Sequence, residues 1–468
     1  MNISLLKKIN ERMPYWMKKP FAKIIRNKLI KNKVFLEEYK SLCQYDEMDV
    51  DEKNEKQLEL LKKTVQHAYY HTKYYHDLFD KAGFDCNSIN SVEDLQKIPV
   101  LTKEILKNNL EDLLADDLDN YYLVTTGGTS GEPVKVYMEK NAIYREWAFV
   151  YHYWSKYGYD FQNSRLATFR GVDLGDRLYE INPLYNEIRM NSFVLSEENV
   201  KKYVQLIDKY GAGIIYGYPS SVYNFCRLAV KKGIDIQRKF KAAFLISENL
   251  YSFQEEVIHQ ALGCEIAIFY GHSERAVFGE KYSCGYVFNQ LYGVTELSSS
   301  GEPIITGFIN NKTPLIRYVA DDQVSIIKDQ FYDIPGHTEV SDSGKYNMSV
   351  QNPGSIFLTD EIHCDIKGHR DMEVLYGVSG QHISVAAINF HDHTFDKVEG
   401  YQFIQDKPGD CLMLLKSENL SQNEIEAIQN HVNHKFGSGV KCKVKITDKL
   451  KLTPRGKYKM IIQNWREN

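Results

Sequence analysis

The segment Tyr121 to Glu139 reads YYLVTTGGTSGEPVKVYME, with Gly127, Gly128 and Gly131 interleaved among the hydroxyls of Thr125, Thr126, Thr129 and Ser130. A tight hairpin needs one or two such residues. A longer loop of small side chains can turn several backbone N–H groups toward one anion, which is the chemistry of phosphate binding. Pro133 and a second apolar run, Val134, Val136 and Tyr137, follow directly. A helical stripe of Ile143, Trp147, Val150, Tyr151 and Trp154 begins only near Asn141. A G-x-x-x-x-G-K-[ST] loop would need a lysine and an immediate helix, and this loop has neither. It reads instead as an anion cradle hung between two strands.

Three further polar clusters carry chemistry: GYPSS at Gly217 to Ser221, SEN at Ser247 to Asn249, and YGHSE at Tyr270 to Glu274. Each comes directly after a short apolar run with strand character. These runs alternate with helices, the first of which starts at a Ser196 cap, carries Val200, Tyr203, Val204 and Ile207 on one face, and stops at Gly211. Strand and helix in alternation imply right-handed crossovers and a parallel sheet covered on both faces. Ligands bind such sheets at the carboxyl ends of the strands, so the three clusters are expected to share one site.

The remaining chain places this unit. NEKQLELLKKTVQHAYYHTKYYHDLF has helical spacing at Leu58, Leu61, Val65 and Ala68, and SVEDLQKIPVLTKEILKNN reads as short helices broken at Pro99. Past Leu291 the pattern is β-rich. From residue 368 it becomes two strands, a helix capped by Ser421 and Glu424 with a stop at Gly437, and another strand. The expected organisation is a basic amphipathic segment over 1–45, a large α/β ligand-binding domain over 46–367, and a small α+β domain over 368–468. With 468 residues, a net charge of -4 and 26% charged residues, the composition offers no global reason to bind nucleic acid. The eight cysteines form no C-x-x-C pair, which suits a reducing cytoplasm. Cys284, His363 and Cys364 lack paired ligand spacing, so no structural zinc is expected. The leader LLKKINERMPYWMKKPFAKIIRNKLIKNK is basic and interleaved with apolar residues. It suits either packing on the body or peripheral contact with the inner face of an anionic membrane.

Five motifs in this order resemble those of the adenylate-forming (AMP-forming) ligases: TGGTSGEPV, YGHSE, RYVADD, KGHRD and LTPRGKYK, from Thr126 to Lys457. The glycine pair, GYPSS and YGHSER are most similar to the phenylacetate-CoA ligase and CapK-like branch. The resemblance implies a large domain of parallel sheets flanked by helices with a β-rich part, and a small mobile C-terminal domain. It implies ATP and Mg2+ as cofactors, with CoA in the phenylacetate relatives. On that basis Thr126, Gly127, Gly128, Thr129, Ser130 and Gly131 surround the β- and γ-phosphates, and Tyr270 lies against adenine. Glu274 holds Mg2+, and Asp322 accepts from the ribose hydroxyls. Ser247, Gly271, His272, Ser273 and Arg370 complete the nucleotide side. Lys457 is the catalytic lysine brought by the small domain, and Asp371 is the hinge. The carboxylate pocket is expected from Trp147, Tyr151, Tyr218, Pro219 and Ser220. Departures are local: Ala320 and Asp321 replace Thr and Gly in RYVADD, and His369 stands where the hinge motif has Arg.

The implied activity joins a carboxylic acid to an acceptor through an acyl adenylate. The acceptor is a CoA thiol, or an amine or hydroxyl of a surface-polysaccharide intermediate, and the setting is capsule or cell-surface polysaccharide biosynthesis. Two alternatives stay open: a catabolic acyl-CoA or aryl-CoA ligase, and a nucleotide-binding scaffold without chemistry. The sequence leaves the carboxylate and the oligomeric state undetermined.

Overall fold

The computed structural model describes residues 22, 26, 31–125, 134–170, 174, 176–192, 194–248, 250, 252–320, 322–327, 355–367, 374–384, 397–398, 400–417, 419–451 and 461–465. The chain enters through helices α1 (Lys33–Tyr45), α2 (Val50–His71) and α3 (Lys73–Ala82), a 3-10 turn at Val92–Lys97 and α4 (Lys103–Asn108). The helical stretch expected as one piece breaks at Thr72. That residue is extended, its hydroxyl donates to Ala68 O, and the same oxygen accepts from Tyr75 N, so one side chain ends α2 and caps α3. Phe35, Leu42 and Tyr45 of α1 are buried in the main core.

Next come the antiparallel hairpin β1 (Tyr121–Thr125) and β2 (Lys135–Glu139), and then α5 (Ala142–Ser155). The alternating region yields β3 (Leu166–Phe169), β4 (Tyr179–Asn182), β5 (Glu187–Met190), α6 (Glu197–Tyr210), β6 (Ile214–Gly217), α7 (Pro219–Lys231), β7 (Ala242–Leu245), α8 (Ser252–Leu262) and β8 (Glu265–Gly271). Ser196 and Gly211 cap α6 as expected, with Gly211 in the left-handed region at φ 77°. Strands β5, β3, β6, β7 and β8 run parallel side by side. The sheet continues antiparallel through β9 (Phe278–Tyr282), β10 (Gly285–Phe288), β16 (Cys364–Lys367) and β14 (Gln323–Ile326), and β4 closes the other edge.

Both faces of this ten-stranded sheet are covered, and the period-two alternation of strand side chains decides how. Ala167, Phe169, Ile215, Ala243, Leu245 and Ile268 point into a core with α6, α7 and α8. Their neighbours Leu166, Ile214, Ala242, Phe244 and Ala267 point into a second core with α5. There Trp154 stacks on Phe244 with ring centroids 4.6 Å apart. The β-rich stretch forms a separate antiparallel sheet in the order β13 (Tyr318–Val319), β12 (Pro303–Gly307), β11 (Gly293–Leu297), β15 (Ile356–Leu358).

The C-terminal part has its own core. The hairpin β17 (Val374–Tyr376) and β18 (His382–Ser384) precedes β19 (Gly400–Lys407), β20 (Asp410–Lys416), α9 (Gln422–Phe436), β21 (Lys441–Ile446) and β22 (Ile461–Gln463). Phe403, Met413, Leu415, Ile428, Val432 and Phe436 pack together in it, and the Ser421–Glu424 capping box starts α9. The sequence reading anticipated β19, β20, α9 and β21. It missed the hairpin and β22, which adds a parallel strand to β19.

Candidate active site

Thr125 pairs with Lys135 at the end of the β1–β2 hairpin, so the glycine-rich segment joins two paired strand ends. Thr126, Gly127, Gly128, Thr129, Ser130 and Gly131 lie outside the described residues, as do Arg370, Asp371, Lys457 and nearly all of the basic leader. The hairpin itself is firmly anchored. Asn310 accepts from Glu139 N at 2.9 Å and donates to Tyr137 O at 2.9 Å, and Thr313 accepts from Tyr137 N at 3.2 Å.

The three strand-end clusters do share one edge, because β6, β7 and β8 are adjacent and parallel. Glycine is required at position 217. A Cβ there would fall 2.2 Å from Phe169 O, where β3 and β6 approach most closely. Tyr218 N then donates to Phe169 O at 3.0 Å and Ile246 N to Gly217 O at 3.1 Å, which ties three strand ends together. Three of the four described non-glycine residues with positive φ lie on or beside this region: Ser247 at 65°, Arg275 at 52° and Arg317 at 52°. Such strain persists only where surrounding contacts over-determine it.

At the end of β8 the structure assembles one polar cluster from two motifs. The Tyr270 hydroxyl donates to Asp322 Oδ2 at 2.8 Å, while His272 Nε2 lies 2.6 Å from the Tyr270 oxygen and 3.0 Å from the same Asp322 oxygen. Gly271 and Ser273 are exposed beside it, and Glu274 is buried with the Tyr318 hydroxyl 3.4 Å from Oε1.

Arg275, a residue to which the motif reading gave no role, links three elements. Its Nε bonds Glu146 Oε2 of α5 at 2.5 Å, and its Nη1 donates to the Tyr122 hydroxyl of β1 at 3.0 Å. Burial works against its charge, and Glu146 and Tyr122 more than restore it, so its pKa rises above the ordinary value. The hairpin, α5 and the β8 edge are thereby held in one arrangement. Arg317 of RYVADD serves a different end. It makes a bidentate pair with Glu296 of β11, both bonds 2.9 Å, and donates to Ile98 O at 2.6 Å.

A cavity of about 400 Å³ lies against α1, α5 and strands β3, β5, β6 and β8; it approaches the β8 edge through Phe269, the residue before Tyr270, and through Glu146, which Arg275 holds. Trp147 and Tyr151 line it, with Tyr216, Ile246 and Phe269, whereas Tyr218 and Pro219 do not. Tyr218 is buried behind Arg170, whose guanidinium lies 5.9 Å from its ring, and Pro219 is buried at the start of α7. The Ser220 side chain is outside the described residues. Burial pushes the Tyr216 hydroxyl up to about 12, with Arg170 acting against it, so the phenol is a neutral hydrogen-bonding group. Elsewhere, Cys284 Sγ and His363 Nδ1 meet at 2.9 Å although 79 residues apart in the chain.

The doubly covered sheet, the antiparallel sheet and the separate C-terminal unit together form a fold known from solved ligase structures. The solved structure of a 2-hydroxyisobutyryl-CoA ligase in complex with 2-HIB-AMP and CoA shares this fold, with a TM-score of 0.50 and 15% identity over 89% of this chain and 90% of that one. Residues 375–464 match the family model of the CapK C-terminal domain. Protein CapK of Staphylococcus aureus is 22% identical over 93% of this chain and 95% of its own length. The phenylacetate-coenzyme A ligase of Escherichia coli K12 is 34% identical over 96 residues, 20% of this chain and 22% of that protein. These likenesses point to the adenylate-forming ligase superfamily, on its phenylacetate-CoA ligase and CapK-like branch. No described helix is long and apolar enough to cross a membrane.

Proposed function

We propose that the protein is an ATP-dependent, AMP-forming acid ligase whose nucleotide site is the β8 edge and whose acyl site is the adjoining cavity. The observation that carries this reading is the meeting of Tyr270, His272 and Asp322, from motifs about fifty residues apart, beside a cavity lined by Trp147 and Tyr151. In the first half-reaction a substrate carboxylate oxygen bonds to the α-phosphorus of ATP and pyrophosphate leaves. An acceptor nucleophile then attacks the acyl carbon and AMP leaves.

Asp322 and Tyr270 hold the nucleoside, with His272 fixing the direction of both. Ser247, Gly271 and Ser273 border it, and the 126–131 loop and Arg370 contribute through their motifs. Glu274 suits Mg2+, since that ion takes one or two carboxylates together with phosphate oxygens, and it would supply charge neutralisation for the leaving pyrophosphate. Lys457 stabilises charge that develops between carboxylate and phosphate. The small domain, taken as 368–468 with Asp371 as hinge, brings that lysine to the large domain, 46–367, and withdraws it for the transfer step.

In keeping with the CapK-like resemblance of its motifs, we take the acceptor to be a surface-polysaccharide intermediate, on the cytoplasmic side of the membrane, with the basic 1–45 segment at the lipid surface. The CoA-bound structural neighbour keeps a CoA thiol as the second reading. ATP–pyrophosphate exchange over a panel of acids tests the first half-reaction. Exchange in the wild type with loss in Lys457→Ala supports the ligase. Nucleotide binding without exchange for any acid turns the reading toward a scaffold.

A further inference from the structure

The acyl cavity contains more charge than a site for an apolar acid needs. Five charged side chains reach it: Arg26, Arg170, Arg189, Glu146 and Glu187. Three of these are already engaged. Glu146 is held by Arg275. Glu187 accepts from the Thr168 hydroxyl at 2.7 Å, from Asn182 at 2.8 Å and from Arg189 Nε at 2.7 Å. Arg189 also reaches Glu180 at 3.7 Å.

Arg170 and Arg26 differ. Arg170 donates to the Tyr216 hydroxyl at 3.1 Å and lies over the Tyr216 and Tyr218 rings, but its buried Nε has no acceptor. The Nε of Arg26 is likewise buried and unsatisfied. Among the described residues neither guanidinium forms an ion pair with a carboxylate. Glu187 supplies Arg170 with a counter-charge at a distance but no bond, and the unmet donors of both guanidiniums are costly to keep buried unless a ligand anion joins them.

Their position says which end of the ligand that is. Arg170 follows β3 and its guanidinium lies over Tyr216 of β6 and Tyr218 just beyond it, two strands from β8 in the sheet, or roughly 10 Å at the usual strand spacing. The carboxylate that becomes activated must sit by the nucleotide cluster at β8, so it does not also neutralise Arg170.

We propose that Arg170 and Arg26 select a carboxylic acid with a second anionic group at its far end, a carboxylate or a phosphate, separated by a ring or short chain that packs on Trp147 and Tyr151. This rests on the ligase reading for the identity of the site. Recognition by two forks of N–H donors favours planar, multi-oxygen anions, for which arginine is suited. It also gives the N-terminal segment, through Arg26, a part in substrate choice.

The test measures ATP–pyrophosphate exchange on the intact chain with matched pairs: benzoate against terephthalate, phenylacetate against 1,4-phenylenediacetate, and 4-phosphonobenzoate as the phosphate-like arm. The second-anion members are expected to show KM values about ten- to a hundredfold lower, the scale of one or two charge-assisted hydrogen bonds. Arg170→Gln and Arg26→Gln should each erase most of that preference, read as the ratio of KM values within each pair. The better of the carboxylate and phosphonate arms identifies which anion is read. Equal KM values within the pairs in an active wild type overturn the proposal, and so does a preference that survives both substitutions. If no acid supports exchange, the ligase reading fails on its own, and calorimetric binding of the same pairs decides this one. Diacid binding lost in a folded Arg170→Gln variant sustains it, and undiscriminating or absent binding refutes it.

Discussion

Replacing Asp322 with Asn isolates the junction on which the proposed nucleotide site rests. The substitution keeps size and one acceptor but removes the charge that takes a 2.8 Å bond from the Tyr270 hydroxyl and lies 3.0 Å from His272 Nε2. A hydrogen bond to a charged group contributes about 1.5–3 kcal/mol, against about 0.5–1.5 for a neutral pair. If Asp322 also accepts from ribose hydroxyls, Asp322→Asn weakens ATP and AMP binding by about 10- to 150-fold. Tyr270→Phe removes only a neutral hydroxyl and should cost about 2- to 12-fold by the same scale. Because the two side chains touch, the double variant should fall short of the product of the single effects, with a coupling of about 0.5 kcal/mol or more. Calorimetric titration of nucleotide into each variant, with circular dichroism to confirm folding, supplies the cycle. A folded Asp322→Asn protein that binds AMP as the wild type does would refute the assignment, because the carboxylate would then serve neighbours within the protein alone.

Three further outcomes follow from other contacts. Glu146→Gln leaves Arg275 buried against a neutral partner; it should cost about 3–5 kcal/mol in thermal or denaturant unfolding, and Glu146→Gln with Arg275→Gln should recover part of that loss. Arg317→Met, which strands Glu296 and frees Ile98 O, should destabilise by a similar about 3–5 kcal/mol without a specific change in nucleotide affinity in the protein that remains folded; a selective affinity loss would place Arg317 in the site after all. The third concerns acid stability. Burial pushes the Asp46 carboxyl up, but bonds from His152 and Lys156 more than reverse this, so its folded pKa lies below the ordinary 3.8. A depressed acid stabilises the fold above its unfolded value and loses that contribution as pH falls through the folded one. The stability difference between wild type and Asp46→Asn should therefore be full at neutral pH and close below pH 3.8; a difference that stays constant down the acid limb would contradict the pairing.

Much of the architecture is written in local pattern. The spacing of Val200, Tyr203 and Ile207 with Ser196 and Gly211 at the ends defines a helix, and the run after each of three helices defines the neighbouring strands. Their alternation places GYPSS, SEN and YGHSE at one edge before any coordinate is known, because a right-handed crossover returns every parallel strand in the same direction. Thr72 shows the limit of periodicity. The apolar stripe runs through it, yet its hydroxyl captures two backbone groups and divides the helix.

Local pattern is enough for the class of fold and for the gathering of GYPSS, SEN and YGHSE at one sheet edge, while roles for Tyr270, Glu274 and Asp322 come from the motif resemblance. Those are properties of neighbours along the chain, where hydrophobic period, caps and glycines act within a few residues of one another. Only packing decides that Asp322 closes on Tyr270 and His272, that Arg275 fastens Glu146 to Tyr122, that Arg317 belongs to Glu296, and that Arg170 and Arg26 reach one cavity without a direct ion pair among the described residues. Each of these joins residues far apart in sequence. A guanidinium reads the same in sequence whether it meets a carboxylate, a ring or an empty chamber, and only packing brings it to one of them.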